Sequence, residues 1–156
     1  MIALQARQIA DFHDGREVIE TESGLWRAIE DNHRHNRLLW DEEDLARRKS
    51  VPDSEIAKNK RAIDGYNQKR TDAIERIDEH LLKVYSSVTM KPQARLNSET
   101  PGAMIDRLSI LSLKIHHMRL QTRRTDVERS HLEACESKLA RLIEQRQALG
   151  ACLERL

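Results

Sequence analysis

Aromatic residues are scarce in this chain, which has only two Trp, two Tyr and one Phe among 156 residues. A hydrophobic core must therefore be built from aliphatic side chains. The sequence also offers no aromatic and basic platform of the kind on which single-stranded nucleic acid stacks. Because the formal net charge is only +1, no overall field attracts a polyanion. We therefore expect no nucleic-acid partner.

Long apolar runs are missing as well, and none approaches the ~20 residues that a transmembrane helix needs. The opening MIALQARQIADFHDG lacks the basic segment and following apolar stretch of a secretory signal. These two features predict no membrane span and a cytoplasmic location.

Glycine and proline are few, with five and three residues, so turns should be few and the elements between them long. About a third of the residues are charged, and both signs are interleaved as on solvated helix faces. No segment shows the period-two alternation of a strand. The sequence predicts an all-α fold: one domain over residues 1–156, an antiparallel bundle of about four long amphipathic helices plus a short N-terminal helix.

Capping residues and breaks set the expected helix boundaries. The short helix is predicted over residues 2–13, and the long helices over 22–48, 54–85, 101–121 and 125–156. Asp53 should cap the second long helix, and Thr100 should cap the third, with Pro101 in its first turn. The capping box Thr125-x-x-Glu128 should open the last one.

The last predicted helix has the most regular apolar seam. Its residues follow spacings of three and four: Leu132, Cys135, Leu139, Leu142, Arg146, Leu149, Leu153 and Leu156. This coiled-coil-like seam, which Arg146 interrupts once, can pack within the chain or against a second copy. Its length favours a homodimer.

The two cysteines, Cys135 and Cys152, fall on that same predicted helix. Seventeen positions separate them by roughly 25 Å at helical rise, which excludes an intrachain disulfide. We expect both thiols to be reduced and buried.

Polar residues interrupt the seams of the other long helices. The candidates for a polar site between helices are His33, Asn36, Arg37, Glu43, Asp44, Lys60, Asn67, Arg70, Asp106 and Arg107. A buried charge costs several kcal/mol unless it is paired. Three interpretations therefore stay open: a closed network that fixes helix register, a pocket in which arginines hold a small anion, or seams that face solvent.

Metal binding is the weaker hypothesis. Glu30-x-x-His33 and Glu128-x-x-His131 have the E-x-x-H spacing of two-metal carboxylate bundles, which also need a Glu from each of two other helices. The third long helix supplies Asp106 but no Glu. We expect no metal and no cofactor, and a carboxylate-bridged metal site remains an alternative. No catalytic motif is visible, so no catalytic residue is assigned.

Three segments, 33–47, 60–78 and 97–111, carry a resemblance. They include His33-x-x-Asn36-Arg37-x-x-Trp40-x-x-Glu43-Asp44, Lys60-Arg61-Ala62-Ile63-Asp64, and the run NSETPGAMIDRLSIL. They resemble an uncharacterised bacterial all-helical family known only as a domain of unknown function. Members of this family are often encoded beside glycosyltransferase and lipopolysaccharide or capsule genes. The resemblance implies a helical fold and a role in surface polysaccharide assembly, and it supplies no established catalytic residues.

The second long helix is also faintly similar to chorismate mutase, through Ile63-Asp64, Arg70, Ile77-Asp78 and Leu81-Leu82. Those all-helical enzymes bind a dicarboxylate with Arg and Lys between helices. A small enzyme of this kind would use cations to stabilise negative charge while Glu43 or His33 moves a proton.

Together these features predict an accessory protein of bacterial cell-surface polysaccharide biosynthesis. Its polar site between helices would bind an anionic small molecule, such as a sugar phosphate or nucleotide sugar, or a partner enzyme such as a glycosyltransferase. A small helical enzyme using the same pocket, similar to chorismate mutase or with bridged metals, is the alternative.

Overall fold

The computed structural model describes residues 24–156, and the predicted short N-terminal helix lies outside them. The described residues form four α-helices and no strand, which confirms the all-α class. The helices are α1 (Gly24–Ala46), α2 (Asp53–Val84), α3 (Pro101–Gln121) and α4 (Arg129–Leu153). Over this range no helix has the length and apolar character needed to cross a membrane.

The described chain falls into two compact units. The hairpin unit comprises residues 24–106, with α1, α2 and the start of α3, and the C-terminal unit comprises residues 107–156, with the rest of α3 and α4. Each unit is described by itself.

In the hairpin unit α1 and α2 pack side by side and run antiparallel. Near their connection Asn59 Nδ2 donates to Glu42 Oε2 at 2.7 Å, and far from it Arg76 Nη2 donates to Asp31 Oδ2 at 3.0 Å. The buried apolar side chains of this unit are Ala28, Ile29, Leu39, Ile63, Ala73, Ile77, Met104 and Ile105. This aliphatic core is what the shortage of aromatic residues predicted.

The start of α2 differs from the prediction that Asp53 caps it. Pro52 occupies the N-cap position in extended conformation, no side chain caps the helix, and Asp53 is its first residue. The carbonyl oxygen of Pro52 accepts the amide of Glu55 at 2.9 Å. Asp53 and Glu55 instead stabilise the first turn through their charge, which the positive end of the helix dipole favours.

The start of α3 confirms the predicted cap. The amide of Ala103 donates to Thr100 Oγ1 at 3.2 Å, and the amide of Gly102 donates to Asp78 Oδ1 of α2 at 2.7 Å. A Cβ on Gly102 would lie 2.6 Å from the carbonyl oxygen of Ile74. Glycine is therefore required for this close approach of α3 to α2.

The start of α4 contradicts the predicted capping box. The break after Gln121 is confirmed, but α4 begins at Arg129, behind an extended Glu128 that makes no side-chain cap. Arg124 donates to both carboxylate oxygens of Asp126, at 3.0 and 2.7 Å. This bidentate pair lies in the connection between the helices, whereas Asp126 was predicted to lie in the last helix.

The seam of α4 is only partly covered within the described chain. Of its eight residues, Cys135 is buried, Leu156 is exposed and the others are half-buried. Both cysteines are free, as expected, but Cys152 is exposed, so the prediction that both are buried is wrong for it. Seventeen positions at 3.6 residues per turn place the two thiols on helix faces about 100° apart.

Candidate functional site

The middle of α1 carries polar side chains that are buried in the hairpin unit. Asn32 and Asn36 are buried one helical turn apart, and His33 and Arg37 are buried beside them. Spacings of four residues put Asn32 over Asn36 and His33 over Arg37 on the helix surface. A buried amide needs a hydrogen-bond partner, so the two asparagines require an acceptor from another element.

Asp106 supplies that acceptor from the first part of α3. Its Oδ1 accepts Asn32 Nδ2 at 2.9 Å and Asn36 Nδ2 at 2.8 Å, and Asn36 Nδ2 also lies 3.3 Å from Asn32 Oδ1. Asp106 is itself buried. Hydrogen bonds to an ionised group are the stronger kind, so this cluster ties α1 to α3 within the hairpin unit.

Arg70 of α2 lies at the rim of the cluster. Its Nε is 3.5 Å from Asp106 Oδ1 in an ion pair, and this Nε makes no hydrogen bond. The distance suits Coulomb attraction rather than a well-formed hydrogen bond. Arg70 Nη1 donates at 3.4 Å to Asn67 Oδ1, on the exposed side of α2. Arg70 therefore offsets the buried negative charge while its side chain stays 32% exposed.

The structure brings together only part of the predicted site. Asn36, Arg70 and Asp106 meet directly, and Asn67 is linked to them through Arg70. The remaining predicted residues of the hairpin unit are His33, Arg37, Glu43, Asp44 and Lys60. His33 and Arg37 are buried in α1, while the other three form separate surface ion pairs.

Those ion pairs lie near the connection between α1 and α2. Lys60 Nζ is 3.8 Å from Glu43 Oε2, and Asp44 pairs with Arg47 at 3.0 Å. Lys60 and Asn67 are exposed on α2, where one of the open interpretations has the seam face solvent. The buried positions of α2 are Asn59, Ile63, Ala73 and Ile77, so the face that meets α1 includes neither Lys60 nor Asn67.

Two polar residues of the hairpin unit were missed from the sequence. Asn32 binds Asp106, and its four-residue spacing from Asn36 was the available signal. Asp78 caps α3 from α2, and no local pattern could have indicated that partner, 24 residues away.

His35 lies on another face of α1, with its ring stacked on Tyr66 of α2 at a centroid distance of 6.3 Å. Among the described residues its buried Nδ1 has no hydrogen-bond partner. Burial lowers the pKa of His35 below its ordinary value of 6.5; the charge of Asp31 opposes this, and Arg34, Lys69 and Arg76 reinforce it. Burial therefore favours the neutral form of the imidazole.

A second candidate binding site is a groove in the C-terminal unit. It has a volume of about 560 Å³ and is lined by Arg107, Ile110, Leu111 and Lys114 of α3 and by Gln145, Ala148, Leu149 and Cys152 of α4. Arg107 and Lys114 are seven residues apart, which places them two turns apart on one helix face. Two cations therefore border an apolar floor.

The segment that contains Arg107 and Lys114 carries positive charge only. Residues 107–125 contain five cations and no Asp or Glu: Arg107, Lys114, Arg119, Arg123 and Arg124. Lys114 is exposed, and within residues 24–156 it forms neither an ion pair nor a hydrogen bond through its ammonium group. An unpaired ammonium beside an apolar floor is suited to hold an anion.

Arg146 adds a further cation to the C-terminal unit. It is half-buried in the seam of α4, and its buried Nε has no hydrogen-bond partner within residues 24–156. Burial first, and the positive charge of Arg119 second, lower the pKa of Arg146. Both effects disfavour the charged form of this guanidinium.

The part of the chain that the structure describes contains no group of three or more His, Cys, Asp or Glu that could hold a metal ion. In the described helices the two E-x-x-H pairs are thus not joined into the ligand set that a bridged metal site needs.

Comparison with known protein families gives a match over most of the chain. The family described as "Protein of unknown function (DUF4254)" matches residues 26–156. No curated protein and no solved structure matches the chain.

Proposed function

The chain belongs to the DUF4254 family of proteins of unknown function, and we propose that it is an accessory protein of bacterial cell-surface polysaccharide biosynthesis that binds an anionic small molecule. The groove of the C-terminal unit is the proposed binding site. The observation that carries this proposal is the pair of cations, Arg107 and Lys114, beside the groove's apolar floor.

The polar cluster of the hairpin unit is less suited to this task. Asp106 would repel an anion, and the positive charge of Arg70 beside it is already paired with it. The asparagine amides are directed at Asp106 as well. We therefore assign this cluster to helix register, which is a common use of buried polar groups, and the anion to the groove.

The ligand class follows from the chemistry of the proposed setting. Sugars enter polysaccharide synthesis as sugar phosphates and nucleotide sugars, which carry one or two phosphate groups. Lysine and arginine bind phosphate oxygens through charge-assisted hydrogen bonds. Two cations about 10 Å apart along α3 can hold two ends of an extended ligand of this kind.

A binding role is favoured over acid–base catalysis in this groove. Among its eight lining residues there is no carboxylate and no imidazole. Histidine and the carboxylates are the usual proton-transfer groups of general acid–base catalysis. The enzyme alternative would therefore have to use Lys114 or Cys152 of the groove, or a group from elsewhere in the chain.

Isothermal titration calorimetry with glucose 1-phosphate and with uridine diphosphate glucose tests the binding step. We expect Lys114→Gln to weaken binding by about tenfold or more, the worth of one charge-assisted hydrogen bond. The matched control is Lys138→Gln, an exposed lysine of α4 that does not line the groove. Equal affinity of the wild type and Lys114→Gln, or an equal loss in Lys138→Gln, would contradict the proposal.

The proposed role in cell-surface polysaccharide biosynthesis is tested in cells. Deletion of the gene should reduce the surface polysaccharide seen on gels, and the wild-type chain should restore it. A Lys114→Glu variant, which places negative charge in the groove, should fail to restore it at equal protein level. Full polysaccharide in the deletion strain would rule out the proposed role.

A further inference from the structure

The end of α2 and the loop that follows expose an unusual number of apolar side chains. Every residue from 82 to 98 is exposed, and we call this segment the loop surface. Its large apolar residues are Leu82, Val84, Tyr85, Val88, Met90 and Leu96. Leu82, Met90 and Leu96 are 74, 81 and 100% exposed. Exposed apolar residues that occur singly need no explanation, but a concentration of them indicates an interaction site.

The charge of the loop surface has one sign. Residues 80–98 contain no Asp or Glu, while Lys83, Lys91 and Arg95 alternate with the apolar residues. In the described chain none of these three side chains forms an ion pair or a side-chain hydrogen bond. The loop surface thus combines apolar side chains with uncompensated positive charge.

We propose that the loop surface binds peripherally to a membrane containing anionic lipid. Apolar side chains that enter the boundary between headgroups and acyl chains, flanked by cations that meet anionic headgroups, make up the interfacial mode of membrane binding. Tyr85 fits this mode because its ring is apolar and its hydroxyl can stay in water. The long stems of lysine and arginine let their charges reach the headgroups while neighbouring apolar groups enter deeper.

Charge complementarity and residue order favour a lipid surface over an acidic protein. The buried centre of a protein interface is depleted of lysine, and charge is confined to its rim. On the loop surface each cation is adjacent to an apolar residue: Lys83 to Leu82 and Val84, Lys91 to Met90, and Arg95 to Leu96. This alternation suits an interface in which apolar and charged layers lie at different depths.

The inference does not depend on the proposed function. The groove that should hold the small anion is lined by residues of the C-terminal unit, and none of them lies within residues 82–98. The two sites can therefore be tested by separate substitutions.

Co-sedimentation of the full chain with vesicles tests the proposal. One set of vesicles is pure phosphatidylcholine and the other an equimolar mixture with phosphatidylglycerol. We expect the chain to sediment with the anionic set alone, and added salt to weaken binding by screening. Lys91→Gln with Arg95→Gln should reduce binding by about fivefold for each cation removed. Met90→Glu with Leu96→Glu should abolish it.

Control variants separate the loop surface from general charge. Lys49→Gln with Arg61→Gln removes the same charge from exposed positions elsewhere in the hairpin unit and should leave sedimentation unchanged. Lys114→Gln should do the same, which separates the lipid surface from the groove. Because all the substituted loop residues are exposed, their variants should fold, and circular dichroism verifies this.

Failure of the wild type to sediment with anionic vesicles would overturn the proposal and direct the search to an acidic protein partner. Equal loss of binding in the Lys49 and Arg61 control would also overturn it, since the loop surface would then have no special part. Selective loss in the two loop variants supports it.

Discussion

The side chain of Asn36 donates a 2.8 Å hydrogen bond to Oδ1 of Asp106, seventy positions later in the chain. Asn32, one turn earlier on α1, donates to the same oxygen. A single buried carboxylate oxygen thereby fixes the register of α1 against the start of α3. The arrangement explains why a helix of a small protein buries two amides where aliphatic side chains would pack as well.

Replacement of Asn36 by Ala should destabilise the protein. The substitution removes a buried hydrogen bond to a charged acceptor, so we expect the free energy of unfolding to fall by about 2 kcal/mol. Urea denaturation followed by circular dichroism measures it. The control is Asn67→Ala, an exposed asparagine whose change should stay within about 0.5 kcal/mol. Similar values for the two variants would mean that the Asp106 cluster does not stabilise the fold.

Two glycines should respond in opposite ways to alanine. Gly102→Ala places a Cβ 2.6 Å from the carbonyl oxygen of Ile74 and 2.8 Å from Asp78 Oδ1, so α3 must shift, at a cost of about 1–3 kcal/mol. Gly65 lies within α2, with nothing within 4 Å of an added Cβ, and Gly65→Ala should stabilise by about 0.5–1 kcal/mol. Thermal denaturation of both variants checks this. A neutral or stabilising Gly102→Ala would refute the close approach.

Stability should fall as the pH is lowered through the range in which His35 titrates. Its pKa is lower in the folded protein than its ordinary value of 6.5, so the unfolded chain binds the proton more readily. The contribution of neutral His35 is therefore complete above pH 6.5 and is lost as the pH falls from there toward the folded-state pKa. His35→Phe keeps a ring beside Tyr66 and cannot be protonated.

We expect the melting temperature of His35→Phe to change less with pH across this window than that of the wild type. Denaturation at a series of pH values measures both slopes. Identical slopes would show that another group controls the acid sensitivity.

Removal of the Arg146 charge should stabilise the C-terminal unit. Arg146→Leu continues the aliphatic seam of α4 and removes a guanidinium whose buried Nε has no hydrogen-bond partner in the described part of the chain, and we expect a gain of about 1 kcal/mol. The control, Lys138→Leu, adds an apolar side chain at an exposed position of the same helix and should change stability by less than about 0.5 kcal/mol. A destabilised Arg146→Leu would indicate that the guanidinium has a structural partner in solution.

A local signal correctly predicted the start of α3. Thr100 caps α3 through the amide of Ala103, three positions away, and Pro101 fixes the first turn. The same kind of signal failed at Asp53 and at Thr125-x-x-Glu128. At the first site Pro52 occupies the cap, and at the second Arg124 and Asp126 bind each other. Whether a capping residue forms its cap thus depends on the competing interactions of neighbouring residues.

The polar cluster around Asp106 shows more clearly what a sequence pattern does not determine. Sequence spacing selected Asn36, Arg70 and Asp106, which do meet, but it also selected Lys60 and Asn67, which are exposed. It overlooked Asn32, the other amide on Asp106. The helical period fixes which residues share a face, but not which face turns toward the neighbouring helix.

The sequence by itself determined the all-α class, the four long helices and the aliphatic core, because periodicity, scarce glycine and proline, and few aromatics are properties of the chain alone. Only the tertiary structure decided that Asp106 receives two amides, that Asp78 caps α3 and that α3 and α4 form a cationic groove. Those contacts join residues up to 74 positions apart. They depend on the rotation and register of whole helices, which are set by the packing of their side chains and not by any local pattern.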